Sequence, residues 1–289
     1  MRILVLGAAG MMGHMAVRVL GQRHDAVAVT RAPVSTSHPL ASFVTPDRWI
    51  GGVDVLDPDA IERVLASSTA DAVVNCVGIV KQLEEARDPI RSIEVNALFP
   101  HRLARSCSSH GTRVIHLGTD CVFSGRTGGY TEADLPDPHD LYGRSKLLGE
   151  LADDEGLTLR TSIIGRQLVP GPGLLEWFLG TRSPRVSGYR RAIFSGLTTA
   201  ALARVIEQVL VDHPRLTGVW HVASAPISKF DLLRSIASTF GIDTVVEPDD
   251  GFVCDRSLDG SAFVASTGIT PPAWSAMIDD LRDDQENYR

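Results

Sequence analysis

The chain has 289 residues, 44% of them hydrophobic, and a formal net charge of −7. Its length and apolar content allow one large domain or two joined ones. The acidic balance excludes a general nucleic-acid binder, which wants a basic surface. Cys76, Cys107, Cys121 and Cys254 form no CxxC pair and fit a reduced cytosolic setting. No signal peptide is read at MRILVLG, because Gly7 ends the apolar run at once. Three glycines with His14 and Arg18 argue against a membrane span over residues 3–20. A soluble, cytoplasmic protein without a nucleic-acid or membrane partner is expected.

Residues 3–6 form an aliphatic run of strand length, followed by Gly7-Ala-Ala-Gly10-Met11-Met12-Gly13 and a helical pattern over residues 11–20. Strand, glycine turn and helix together give a dinucleotide fingerprint its meaning. Gly7 permits the tight turn, Gly10 lets the backbone approach a pyrophosphate, and Gly13 lets the helix pack closely. The helix N-terminus then offers free N–H groups to phosphates. A second strand, residues 26–30, ends at Arg31 with no carboxylate at its tip. An arginine there suits the 2′-phosphate of NADP rather than the free hydroxyl of NAD.

Residues 33–49 read as a loop, and Gly51 to Val55, including Asp54, as a short strand. Asp57 and Pro58 open a helix that runs to about Ser67. Residues 72–76 are the next buried strand, and Val77-Gly78 at its end leaves room for a flat cofactor. A long helix is expected over residues 89–108, kinked or broken at Pro100, with Asn96 inside it needing partners. Residues 113–117 and 157–161 complete six strands alternating with helices, so the sheet is parallel and covered on both faces. The pattern changes near Gly165. Beyond it come helices over residues 199–212 and 228–240, strands near 218–222 and 244–247, and a helix after Pro272. The charged tail after Asp279 is expected to fray.

One stretch carries the chemistry. Residues 119–146 deliver a hydroxyl (Thr119), a phenol (Tyr142) and an ammonium (Lys146) from neighbouring elements. Tyr142 and Lys146 are four apart and share one helix face. An adjacent lysine should lower a phenol pKa that is otherwise about 10. Such a tyrosine passes a proton to or from a substrate oxygen near neutral pH, which is what carbonyl reduction needs beside a hydride donor.

With the glycine turn, Thr119-Asp120-Cys-Val-Phe, Gly129-Tyr130-Thr-Glu132, Tyr142-Gly-Arg-Ser-Lys146-Leu-Leu-Gly-Glu150, Arg160-Thr-Ser162 and Arg256-Ser-Leu258 in order, the chain resembles the extended short-chain dehydrogenase/reductases. Within them it is most similar to the dTDP-4-dehydrorhamnose reductase family, over nearly its whole length. The resemblance implies an α/β Rossmann-type doubly wound parallel sheet, residues 1–164, with a smaller mixed lobe, residues 165–289, for substrate. It implies NADPH-dependent (NADH being the other option) reduction of the 4-keto group of a nucleotide-linked deoxysugar for surface polysaccharide, and it is compatible with a homodimer. Carried over by residue, Thr119 bonds the keto oxygen, Tyr142 donates the proton, Lys146 holds nicotinamide ribose hydroxyls, and Asp120 lies against the sugar. The cofactor side comprises Gly7, Gly10, Met11, Met12, Gly13, Arg31, Asp54, Val55, Cys76, Val77 and Gly78 with Tyr142 and Lys146. The substrate side comprises Thr119, Asp120, Cys121 and Ile163, with Arg190, Arg191 and Arg256 as diphosphate candidates.

Three positions depart from the family. Cys121 and Ile163 stand where aromatics are usual, and Gly118 where serine is common, so the hexose is open: an N-acetylated sugar, another configuration or UDP in place of dTDP all fit. The family's magnesium-binding glutamates do not map, and no metal is predicted. Related 4,6-dehydratases place a glutamate where Cys121 stands, which argues against dehydration. As a nucleophile Cys121 lacks a neighbouring His, and His116 inside a strand reads as a core histidine. The alternatives are a nucleotide-sugar epimerase or dehydrogenase on the same fold, marked by tightly retained NAD, and a non-catalytic NADP-binding regulatory subunit. A regulatory subunit of methionine adenosyltransferase resembles the same family, so the fold alone does not decide.

Overall fold

A computed structural model describes residues 1–82, 84–169 and 171–288. Strands β1 (Arg2–Leu6), β2 (Asp25–Val29), β3 (Trp49–Ile50), β4 (Ala72–Asn75), β5 (Arg113–Leu117) and β6 (Leu157–Arg160) join one sheet with strand Gly218–His221. The order across it is Gly218–His221, β6, β5, β4, β1, β2, β3, and every pairing is parallel. Alternation along β1 explains why both faces are covered. Ile3 and Val5 enter one core with helix α1 (Met11–Leu20) and helix Thr199–Asp212. Leu4 and Leu6 enter the other with helices Pro58–Ser68 and Phe99–Ser109. This is the doubly wound Rossmann arrangement, and its order reverses between β1 and β4, where such sheets bind ligands.

The seventh strand comes from beyond residue 164, so the expected boundary there does not separate the sheet from the rest. Helix Thr199–Asp212, which packs on α1, also belongs to the sheet layer. Of the remaining pieces, Arg185–Tyr189 pairs with Val245–Asp249, Ala192–Phe194 with Ile227–Ser228 and Cys254–Asp255, and Leu197–Thr198 with Ile163–Ile164. The short strand expected at residues 51–55 lies at Trp49–Ile50 instead. Gly51 has no room for a Cβ beside Ala32–Val34, and Gly52 has φ +76°, so the backbone turns there.

The long helix is not broken at Pro100. It runs α over Pro89–Ile93, widens to a π turn over Glu94–Leu98, and resumes α over Phe99–Ser109. Pro100 has no N–H for the Asn96 carbonyl, and a π turn absorbs that loss. The carbonyl faces Gly149, where any Cβ would collide with it.

The tail also differs from expectation. Helix Trp274–Asp283 continues into a 3-10 turn through Tyr288, and Asp284 pairs with Arg18. His14 Nδ1–H donates to Gly10 O (2.8 Å), so its Nε2 accepts from the Tyr288 hydroxyl (2.6 Å). The tail therefore braces the glycine turn. Tyr288→Phe leaves that buried nitrogen unserved and should cost about 1–3 kcal/mol, read as a fall in melting temperature; an unchanged melting temperature would mean the tail is detached in solution.

Candidate active site

The glycine turn closes the β1/β4 switch. Gly7 has φ +74°, and a Cβ there would sit 3.1 Å from the Cys76 backbone. Gly13 could not carry a Cβ without striking Gly7 O and Ala8 Cα, so α1 starts hard against the turn. Gly10 caps α1 with no side-chain bond, leaving the helix's first N–H groups open. Above them lies a cleft of about 590 Å³, within the range of small-molecule sites.

Gly10, Met11, Met12, Cys76, Val77, Gly78, Thr119, Asp120, Cys121, Tyr142, Lys146, Ile163 and Arg256 all line this cleft. Other predicted residues do not. Gly7 and Gly13 shape the turn from beneath. Arg31, Asp54 and Val55 stand past the ends of β2 and β3, at the same carboxyl edge but outside the enclosed space. Arg190 is taken up by Asp250 at the surface, and Arg191 beside it is also exposed; neither lines the cleft, although the next residue, Ala192, does.

Local sequence explains how Tyr142 meets Thr119. Asp140 caps the Leu141–Leu148 helix by accepting from Gly143 N (2.7 Å). Gly143 lets that helix press on the Cys121 carbonyl, which a Cβ would strike. Thr119 Oγ1 accepts from Cys121 N (3.2 Å), fixing the turn. Gly118 is similarly tight: a Cβ would come 3.1 Å from Arg160 Cγ. Arg160 is buried, forks onto Glu150 (2.7 and 2.8 Å), and lies 5.3 Å from the Phe123 ring, tying β6 to the catalytic segment.

Asn96 resolves as a clamp. Its Oδ1 accepts from Ile79 N (2.8 Å), and its Nδ2 donates to Ile79 O (2.9 Å) and Ser145 Oγ (3.2 Å). The loop after β4 is thereby held to the Tyr142 helix.

Electrostatics correct one expectation. Burial pushes the Tyr142 phenol up rather than down, the neighbouring Cys121, Asp120 and Asp140 add to that, and hydrogen bonding with Thr119 pulls the other way. Lys146 does not offset the rise because its Nζ donates to Leu117 O (2.6 Å) and meets His116 Nε2 (3.1 Å). Burial lowers Lys146 to about 8, against the pull of Glu150 and Cys76.

His116 is placed by a chain of bonds. Val77 N–H donates to Asn75 Oδ1 (3.1 Å), so Asn75 Nδ2 faces His116 Nδ1 (3.0 Å) as a donor. Nδ1 must then accept, and the ring proton sits on Nε2, facing Lys146. An ammonium at Lys146 would set N–H against N–H, whereas the free amine accepts. Burial first, then Lys146, also keeps His116 neutral.

Cys121 is a neutral thiol: burial, with the charge of Asp120, pushes it up to about 12 despite Lys81 and Arg256. Sequence reasoning missed Lys81, Gln82, Gln167, Lys229 and Phe252, which also line the cleft. Lys81-Gln82 follow the Val77-Gly78 segment after two intervening residues and were reachable by extending it. Lys229 carried no signal of its own.

A glycine turn at the β1/β4 switch, with Thr119, Tyr142 and Lys146 at its mouth, defines an extended short-chain dehydrogenase/reductase. The family model described as the RmlD substrate binding domain matches residues 1–166, and the chain belongs to that family. Among curated relatives, it is 34% identical to "Probable low-salt glycan biosynthesis reductase Agl14" of Haloferax volcanii, over 97% of this chain and 96% of that protein. It is 29% identical to dTDP-4-dehydrorhamnose reductase of Mycolicibacterium smegmatis, over 84% of this chain and 70% of that one. A dTDP-4-dehydrorhamnose reductase from Bacillus anthracis, solved in complex with NADP, shares the fold at TM-score 0.79 and 20% identity, covering 98% of this chain and 99% of the other. Among the described residues no helix is long and apolar enough to cross a membrane.

Proposed function

We propose that this protein is an oxidoreductase that uses NADPH to reduce the 4-keto group of a nucleotide-linked deoxysugar, serving the synthesis of surface polysaccharide. One observation carries the reading: Thr119, Tyr142 and Lys146 face a single cleft whose floor is the open N-terminus of α1. The cradle fits a dinucleotide, since Gly7 and Gly13 admit no side chain where backbone and helix converge. Gly10 to Met12 would hold its pyrophosphate, Lys146 the nicotinamide ribose, and Cys76 to Gly78 the ring's flank. The relatives named as reductases, and the NADP in the Bacillus anthracis title, support the same class.

When bound, NADPH supplies the hydride that adds to the carbonyl carbon. The Tyr142 phenol gives its proton to the carbonyl oxygen, becoming phenolate. Thr119 steadies the developing alkoxide by a hydrogen bond. A phenol held protonated by burial suits reduction, in which it starts as the acid. Cys121, a thiol pushed up to about 12, is a poor acid for loss of water, which favours reduction over dehydration. The segments beyond residue 164 that stay out of the sheet form the lobe over the sugar.

Following NADPH oxidation across dTDP-, UDP- and GDP-linked 4-keto sugars tests the reading: one class should turn over, and silence across the panel would end it. Arg31 should set cofactor choice. Arg31→Asp should move the ratio of kcat/KM with NADPH to that with NADH by ~10-fold or more towards NADH, the loss of one charged contact to the 2′-phosphate; an unmoved ratio would place the 2′-phosphate elsewhere.

A further inference from the structure

Among the described residues the cleft is lined by four cations, Lys81, Lys146, Lys229 and Arg256, and one carboxylate, Asp120. That is a cationic pocket in a chain of net charge −7. Lys146 is occupied with Leu117 O and His116. The other three have no carboxylate partner among the described residues, whereas Arg160, Arg166 and Arg190 each have one. They come from unconnected places: the loop after β4, the first residue of helix Lys229–Phe240, and the residue after strand Cys254–Asp255.

Their geometry converges. Lys81 Nζ lies 3.9 Å and Arg256 Nη1 3.6 Å from Cys121 Sγ, so two cations flank one neutral thiol. Arg256 is held by its Nε donating to Phe123 O (2.9 Å). Lys229 Nζ stands 4.1 Å from the centre of the Phe194 ring, itself packed on Trp274. Its charge is felt by Asp120 and Lys81, which puts it in the same field. Like charges gathered in a part-desolvated cleft repel and lose hydration, a cost that a polyanionic ligand offsets.

We propose that Lys81, Lys229 and Arg256 form one site for the diphosphate of the nucleotide-sugar substrate, replacing the role expected of Arg190 and Arg191. The proposal rests on the sugar-nucleotide reading above. A carboxylate on the sugar shares the same chemistry, so the experiment separates the two anions.

The test is calorimetric titration of the protein with dTDP and UDP, the same diphosphates carrying a sugar, the matching monophosphates and NADPH, for wild type and for Lys81→Gln, Lys229→Met and Arg256→Gln. Each variant should bind the preferred nucleoside diphosphate ~10-fold or more weakly, as expected for losing a charged hydrogen bond. NADPH affinity should stay within ~2-fold, since no phosphate of the cofactor is placed there. The monophosphate should lose less. Lys229→Arg keeps the charge and should keep the affinity, which separates binding from folding if Lys229→Met proves unstable. Unchanged diphosphate affinity in the variants, or an equal loss for NADPH, overturns the proposal. So does a loss seen only with the sugar attached, which would move the anion onto the sugar. If the variants behave as expected but no keto sugar is reduced, the reductase reading fails and the anion site stands.

Discussion

Tyr142→Phe should lower kcat for keto-sugar reduction by ~10²- to 10⁴-fold, the range for losing a positioned general acid. NADPH affinity should stay within a few-fold. The ring is retained, so packing in the cleft changes little and only the proton donor is removed. Tyr142 lines the cleft with Thr119, Gly143 lets its helix sit against the Cys121 carbonyl, and among the described residues no other tyrosine lines the cleft. Stopped-flow measurement of NADPH oxidation with the best sugar of the panel checks this. Turnover within ~10-fold of wild type would take Tyr142 out of the chemistry, because general acid catalysis is worth more than that.

The fold was legible because its signals are local and periodic. Five of the six strands, the glycine turn and helix Thr199–Asp212 each announce themselves within a few residues, while the two-residue β3 is too short to do so. What escaped depends on partners remote in sequence. Arg190 and Arg191 lie in a tight turn between strands Arg185–Tyr189 and Ala192–Phe194, and Asp250, across that paired segment, engages the Arg190 guanidinium. Lys229 reaches the cleft only because Ile227–Ser228 pairs with Ala192–Phe194. The tail reads as charged and loose until α1 supplies Arg18 and His14 as partners. Pro100 signals a break, and only the π turn and Gly149 show how the helix survives it.

The same distinction governs Lys146. Spacing put it on the face of Tyr142, but its protonation is set first by burial, against Glu150 and Cys76, and its Nζ meets His116 on β5, whose tautomer Asn75 at the end of β4 fixes. Glu150 faces it from the following turn, and His101 adds charge near His116. With Lys146 lowered to about 8, kcat/KM for reduction should fall as pH rises through that value, since the neutral amine holds the nicotinamide ribose hydroxyls less firmly than the ammonium. Asn75→Asp should reverse the hydrogen-bond chain. A carboxylate oxygen still accepts from Val77 N–H, but its other oxygen now requires a proton on His116 Nδ1. Nε2 then becomes an acceptor facing Lys146, which favours the ammonium and adds a nearby negative charge. The alkaline limb of the pH profile should move up by ~1 unit, while in a His116→Gln background, which leaves no ring tautomer to lock, the same Asn75→Asp change should move it less, by the added charge alone. A limb that stays where wild type has it in both backgrounds would show that Lys146 is governed by burial alone.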